Sequence, residues 1–110
     1  MVAEQIRRGD VFLVTLSPTV GTEIRKTRPC VVVSPDELNL RLPTVIVAPL
    51  TTGTHLYPFR IPCTFKGRPG HVVTEQLRSI DRARLVRPLG SLPSATLRRV
   101  LVALQQMFGE

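Results

Sequence analysis

The residues best suited to chemistry lie in one polar stretch, residues 17–28, with the sequence SPTVGTEIRKTR. Its charged members are Glu23, Arg25, Lys26 and Arg28. A carboxylate can accept a proton, and a guanidinium can hold a phosphate with two parallel hydrogen bonds. Long irregular segments in small domains are usually functional or mobile, so the stretch is either a binding loop or a solvated hairpin tip.

The neighbours of Arg28 and of Thr51 in the sequence restrict the direction in which each side chain leaves the backbone. Pro29 favours an extended backbone at Arg28, which fixes the direction in which the guanidinium leaves the chain. Thr51 follows the apolar run VIVAPL at 45–50, so we expect its hydroxyl at a strand end, where it can donate to a phosphoryl oxygen. The composition TTGT at 51–54 is equally typical of an ordinary turn.

The sequence lacks the familiar catalytic motifs: there is no GxxxxGK, GxGxxG, HExxH or GxSxG. His55 and His71 lie 16 residues apart, without a metal-like spacing, and are expected at the surface. These absences disfavour a metalloenzyme or a nucleotide hydrolase, and we expect neither a metal nor a cofactor. Cys30 and Cys63 stand among apolar neighbours without a CxxC motif, so we expect reduced, structural thiols.

The composition is that of a basic globular domain. The chain has 110 residues, of which 43% are hydrophobic, and 15 Lys and Arg against 8 Asp and Glu give a formal net charge of +7. Thirteen of the basic residues are Arg, and this charge favours a polyanion as partner. The length predicts one domain over residues 1–110. With neither an apolar leader nor a membrane-length apolar run, we expect a soluble, cytoplasmic protein.

Short runs rich in β-branched residues, bounded by turn residues, occupy most of the chain. The predicted strands are 10–16, 30–34, 44–50, 59–65, 71–75 and 85–89. Five later apolar residues recur at helical spacing: Leu97, Val100, Leu101, Leu104 and Phe108. Pro93 and Ser94 begin this helix and Gly109 ends it, while 36–41 and 77–84 each suit one helical turn. We therefore predict a mainly β fold, a small β-barrel with a C-terminal helix.

Four blocks of the sequence are informative together: RRGDVFLVTLSPTVGTE at 7–23, TRPCVVVS at 27–34, VIVAPLTT at 45–52 and EQLRSID at 75–81. In this order they resemble the MazF/PemK family of toxin endoribonucleases. With YPFRIPC at 57–63 and the terminal helix, the resemblance covers nearly the whole chain.

The resemblance implies a homodimeric, SH3-like barrel that cleaves single-stranded RNA, such as mRNA, with sequence preference and without a metal. The implied products carry a 2′,3′-cyclic phosphate and a 5′-hydroxyl. The family is silenced by a cognate antitoxin, so we expect a MazE-like partner that is acidic and partly disordered.

The family places its key Arg directly before a Pro and its key Thr at the end of the third strand, which implies that Arg28 and Thr51 are catalytic. Both would stabilise charge on the phosphoryl oxygens while the substrate's own 2′-hydroxyl attacks. Glu23 matches an acidic loop position and is a candidate base, although it could equally be a salt-bridge partner of its basic neighbours. The residues expected to contact RNA are Arg25, Lys26, Gln76 and Arg78.

Two other functions stay open at this point. A gyrase-binding toxin of the CcdB type shares the barrel but binds a protein, and it does not need Arg28 and Thr51 as a catalytic pair. A non-catalytic RNA-binding barrel fits the net charge of +7 as well as an enzyme does. An RNA-cleavage assay separates the gyrase-binding toxin from an endoribonuclease. Binding of RNA without cleavage would identify the non-catalytic barrel.

Overall fold

The computed structural model describes residues 5–16, 20–21, 26–53 and 57–110. Its strands are β1 (Asp10–Thr15), β2 (Thr27–Val32), β3 (Thr44–Thr51), β4 (Ile61–Phe65), β5 (Arg68–Val72), β6 (Arg78–Asp81) and β7 (Leu85–Ser91). Its helices are α1 (Asp36–Arg41), between β2 and β3, and α2 (Ser94–Phe108), after β7. Single 3₁₀ turns at Thr74–Gln76 and Arg82–Arg84 flank β6.

The strands form one curled antiparallel sheet in the order β4-β5-β3-β2-β1-β7, and β6 also pairs with β3. β3 is the centre of this arrangement, because it pairs with β6 over its first half, with β2 around its middle and with β5 at its end. A strand that changes partners along its length bends the sheet around itself. The result is a half-barrel with a C-terminal helix, which confirms the predicted fold class.

Both faces of the sheet are buried, each by its own apolar cluster. Alternation along β2 sends Cys30 and Val32 into one cluster, with Val14, and sends Val31 into the other, with Val100 of α2. Such two-sided burial explains why the strands read as continuous apolar runs in the sequence. Leu104 also packs against the second cluster, but Phe108, predicted in the same helical stripe, is 71% exposed.

Two sequence predictions for this part of the fold were wrong. Residues 77–84 form β6 followed by a 3₁₀ turn rather than a helical turn, because the short RSID segment pairs with the first half of β3. The segment predicted as a strand over 71–75 ends at Val72 and continues as a 3₁₀ turn. The predicted turn at 36–41 is confirmed as α1, and the C-terminal helix begins at Ser94 as predicted.

Arg28 belongs to a strand and not to the loop in which the sequence placed it. The backbone pairs Val14 with Arg28 and Thr15 with Thr27, so β2 begins three residues earlier than predicted. Pro29 already favours an extended conformation at Arg28, and pairing with β1 makes that conformation part of the sheet. The catalytic candidate is therefore held by a strand, which limits its motion more than a loop would.

Candidate active site

The site begins where β2 and β3 separate. Their pairing joins Val32 with Val47, Val31 with Ala48 and Cys30 with Pro49, and it stops there. If the pairing continued for two more residues in the same register, Arg28 would lie opposite Thr51. Instead, the end of β3 turns to β5, and the space between the two strands becomes a cavity.

Arg28 and Thr51 lie in the wall of this cavity, which we call the site cavity and which has a volume of about 290 Å³. Its lining combines apolar side chains, hydroxyl groups and three cations. The lining residues are Arg28, Pro29, Leu50, Thr51, Thr52, Cys63, Phe65, Lys66, Arg68, Gly70 and Leu89. A cavity with this chemistry suits an anion that carries an apolar ring.

Thr51 is fixed by its neighbours on β5 and in the turn that follows β3. The backbone N–H of Gly53 donates to Thr51 Oγ1 at 3.4 Å, and His71 Nδ1 lies 2.9 Å from the carbonyl oxygen of Gly53. A Cβ atom on Gly70 would lie 1.9 Å from the carbonyl oxygen of Thr51, so only glycine permits this close approach of β5. Because Thr51 Oγ1 accepts one hydrogen bond from the backbone, its own hydrogen can be donated to a ligand in the cavity.

His71, which the sequence predicted at the surface, is only 7% exposed. It is the residue opposite Thr51 in the pairing of β3 with β5. Its hydrogen bond to the Gly53 carbonyl holds the turn whose N–H reaches Thr51 Oγ1. His71 is therefore a structural support of the site.

The pKa values of the two cysteine thiols, Cys30 on β2 and Cys63 on β4, reflect their burial. Burial raises the pKa of Cys30 to about 12, and the positive charges of Arg78 and Arg28 oppose this effect only in part. Burial also raises the pKa of Cys63, which lines the site cavity. Both cysteines are free, as predicted, and both stay protonated at neutral pH. The thiols are therefore not activated nucleophiles.

The predicted RNA-contacting residues are placed less closely together. Arg78 is half-buried on β6, where its Nη1 donates to the carbonyl of Leu16 at 3.2 Å. Gln76 ends a 3₁₀ turn and is half-buried. Among the described residues that line the site cavity, neither Arg78 nor Gln76 is present. Lys26 is exposed, has a positive φ of 67° and leads directly into β2.

Glu23, the candidate base, and Arg25, a candidate RNA contact, lie outside the described residues. Among the residues that the structure describes, no three His, Cys, Asp or Glu side chains come close enough to hold a metal ion together. No helix there is long and apolar enough to cross a membrane.

Sequence reasoning missed Lys66, in the turn between β4 and β5, and Arg68, at the start of β5, which both line the site cavity. The only signal was a pair of basic residues around Gly67, between two strand-like runs, which predicts a hairpin tip. Nothing in that pattern shows that the hairpin folds against the gap between β2 and β3.

Residues 7–108 match the family model described as "PemK-like, MazF-like toxin of type II toxin-antitoxin system". The chain belongs to this family. The match includes β2 and β3, which carry Arg28 and Thr51, and it confirms the resemblance seen in the sequence.

Relatives of this MazF-like chain cover it almost completely. It is 36% identical over 110 residues to Endoribonuclease MazF of Staphylococcus epidermidis, covering 94% of this chain and 92% of that protein. The crystal structure of MazF from Deinococcus radiodurans has a TM-score of 0.83 and 27% identity, covering 94% of this chain and 96% of that one. A MazE-MazF structure from the same organism has a TM-score of 0.76 and 25% identity, covering 94% of each chain.

Proposed function

We propose that this chain is an endoribonuclease toxin that cleaves single-stranded RNA, such as mRNA, with sequence preference. The observation that carries the proposal is the meeting of Arg28 and Thr51 in one cavity, at the point where β2 and β3 separate. A relative that is 36% identical over nearly the whole chain is named as an endoribonuclease, which supports the same activity.

The proposed reaction uses the substrate's own 2′-hydroxyl as nucleophile. Its oxygen forms a bond to the adjacent phosphorus while the bond from phosphorus to the 5′-oxygen of the next nucleotide breaks. The 2′-hydroxyl loses its proton to a base, and the departing 5′-oxygen gains one. The products are a 2′,3′-cyclic phosphate and a 5′-hydroxyl, and the intramolecular attack gains its rate from proximity rather than from a metal-bound water.

In this mechanism Arg28 and Thr51 stabilise the charge that accumulates on the phosphoryl oxygens. A guanidinium remains protonated in proteins, so Arg28 acts as a donor and not as a base. The Thr51 hydroxyl, held from behind by the Gly53 N–H, is the second donor. Donors that are already oriented before the reaction are the most effective kind. We assign the base to Glu23, and we assign RNA contacts outside the cavity to Arg25, Lys26, Gln76 and Arg78.

We further propose that the toxin works as a cytoplasmic homodimer of one-domain chains, residues 1–110, and that a cognate antitoxin inhibits it. The structure of MazF together with MazE from Deinococcus radiodurans supports such a partner. A net charge of +7 favours an acidic, partly disordered antitoxin that folds on binding. Its affinity should fall as salt rises, and affinity that stays flat from low to high ionic strength would contradict this electrostatic contribution.

The proposed function is tested on a long single-stranded RNA incubated with the purified chain in excess chelator. Primer extension maps the cut sites, and treatment of the upstream product with acid, then phosphatase, reports a cyclic phosphate. We expect cleavage at a limited set of sites, unchanged by chelator, with cyclic phosphate ends. Cleavage that stops with chelator would contradict the mechanism, and RNA that is bound but not cut would favour the non-catalytic barrel.

A further inference from the structure

Five of the residues that line the site cavity have apolar side chains. They are Pro29, Leu50, Cys63, Phe65 and Leu89. The volume of about 290 Å³ is near the lower end of the range, about 300–1,000 Å³, in which proteins hold small molecules. A charged phosphate gains nothing from this apolar lining, whereas an unstacked base does.

Two cations of the hairpin formed by β4 and β5 also line the site cavity. Lys66 lies in the two-residue turn between the strands, and Arg68 is the first residue of β5, where it pairs with Phe65. Lys66 and Gly67 have positive φ angles of 52° and 78°, as in the two-residue turns that match the twist of a hairpin. We call Lys66, Gly67 and Arg68 the hairpin tip. Its two charges are presented by paired strands and not by a free loop.

The charges of the hairpin tip form no ion pair within the described part of the chain. Both side chains are exposed, and no carboxylate of the described residues forms an ion pair with Lys66 or Arg68. The Nζ atom of Lys66 lies 5.8 Å from the centroid of the Phe65 ring. Arg60, in contrast, pairs with Glu75 through hydrogen bonds that include one of 3.0 Å.

We propose that the site cavity holds one unstacked base of the RNA and that Lys66 and Arg68 bind the phosphate of the same nucleotide. This inference rests on the proposed function, since it places that nucleotide beside the scissile phosphate at Arg28 and Thr51. The base packs on the apolar residues of the lining, and the hairpin tip neutralises the phosphate. Lys66 and Arg68 thereby contribute affinity and position the strand, while Arg28 and Thr51 act on the reacting phosphate.

The test compares the double variant Lys66→Ala/Arg68→Ala with a matched control, Arg98→Ala/Arg99→Ala. The control removes the same charge from exposed positions on α2 that do not line the site cavity. The probe is a short oligoribonucleotide that spans a mapped cut site and carries one deoxyribose at the cleaved position. Fluorescence anisotropy over a range of salt gives the affinity and the number of phosphates that the protein neutralises, independently of catalysis.

We expect the hairpin-tip variant to bind this probe roughly tenfold more weakly than the control does, with a salt slope reduced by about 0.7 for each phosphate that it no longer neutralises. Its cleavage rate at RNA concentrations below saturation should fall by a similar factor, because less of the RNA is bound. Affinity and slope equal to those of the control would overturn the role of the hairpin tip. A large loss of saturating rate with unchanged affinity would overturn it as well.

Abasic nucleotides introduced one at a time on either side of the cut test the base. One position should weaken binding to the wild type, and the same position should cost less in the hairpin-tip variant, because both changes affect one nucleotide. If no position weakens binding, the cavity does not hold a base. A wild type that cuts no RNA contradicts the proposed function itself, whereas a wild type that cuts RNA while the variant behaves like the control contradicts only this inference.

Discussion

Replacing Arg28 with alanine removes a charged donor from the site cavity while leaving its supports in place. The backbone of residue 28 pairs with Val14, and this pairing does not depend on the side chain. Thr51 keeps its hydrogen bond from Gly53, and the cavity keeps its apolar lining residues. The variant should therefore fold, and its loss of activity should report the missing guanidinium.

The expected loss follows from the role of a preorganised donor to developing negative charge. One such donor contributes about 10² to 10³ in rate, which corresponds to about 2.7–4 kcal/mol. Arg28→Lys keeps the charge but loses the planar fork, so we expect an intermediate rate. Binding of an uncleavable oligoribonucleotide should fall much less than the rate, because a strand is held through several phosphates.

The assay is single-turnover cleavage of a labelled oligoribonucleotide at saturating protein. Circular dichroism and urea unfolding show whether each variant is folded, and Arg98→Ala is the control for loss of one exposed charge. A folded Arg28→Ala protein that cleaves within a few-fold of the wild type would refute the catalytic assignment. Loss of rate that is matched by an equal loss of affinity would instead make Arg28 a binding residue.

The remaining predictions concern the supports of the site and its titratable groups. Gly70→Ala should destabilise the fold by about 1–3 kcal/mol or more in urea unfolding, because the added Cβ would lie 1.9 Å from the carbonyl oxygen of Thr51. A variant as stable as the wild type would contradict that close approach. Hydrogen bonds from Arg60 lower the pKa of Glu75. The ionised carboxylate therefore stabilises the folded state at pH values above the ordinary glutamate pKa of about 4.3. This stabilisation is lost as the pH falls through the lowered pKa of the folded state. Glu75→Gln should accordingly reduce the free energy of unfolding at pH 7 by about 0.2–1 kcal/mol, since the ion pair is partly exposed. The difference in stability between the variant and the wild type should shrink on acidification. A difference that grows on acidification would be inconsistent with the lowered pKa. The Cys30 thiol, with a pKa of about 12, should resist alkylation at pH 8 in the folded protein and react after denaturation, as peptide mass spectrometry would show, and rapid labelling of the folded state would disprove its burial.

The elements that could be predicted from the sequence are those whose pattern is local. The helical spacing of Leu97, Val100 and Leu104 predicts α2, and the apolar run before Thr51 predicts β3. Val100 and Leu104 of α2, like the apolar residues of β3, also enter the buried clusters. Local pattern and tertiary packing therefore agree at these positions.

The elements that could not be predicted depend on pairing between distant segments. β6 has only four residues, and the pairing of Val45 with Ile80 makes it a strand. Arg28 enters a strand because β1 lies beside it. The same limit applies to the site: the pre-proline Arg and the strand-end Thr can be found in the sequence, but the hairpin tip joins them only when the sheet curls.

The chain is proposed to cut RNA with the 2′-hydroxyl next to the scissile phosphate as nucleophile. The most direct measurement uses an oligoribonucleotide that contains a single deoxyribose at the cleaved position, compared with the all-ribose strand in excess chelator. We expect the all-ribose strand to be cut and the substituted strand to be bound almost equally well but not cut at that bond. Cleavage of the substituted strand at the same bond would contradict the mechanism and require a nucleophile from outside the substrate.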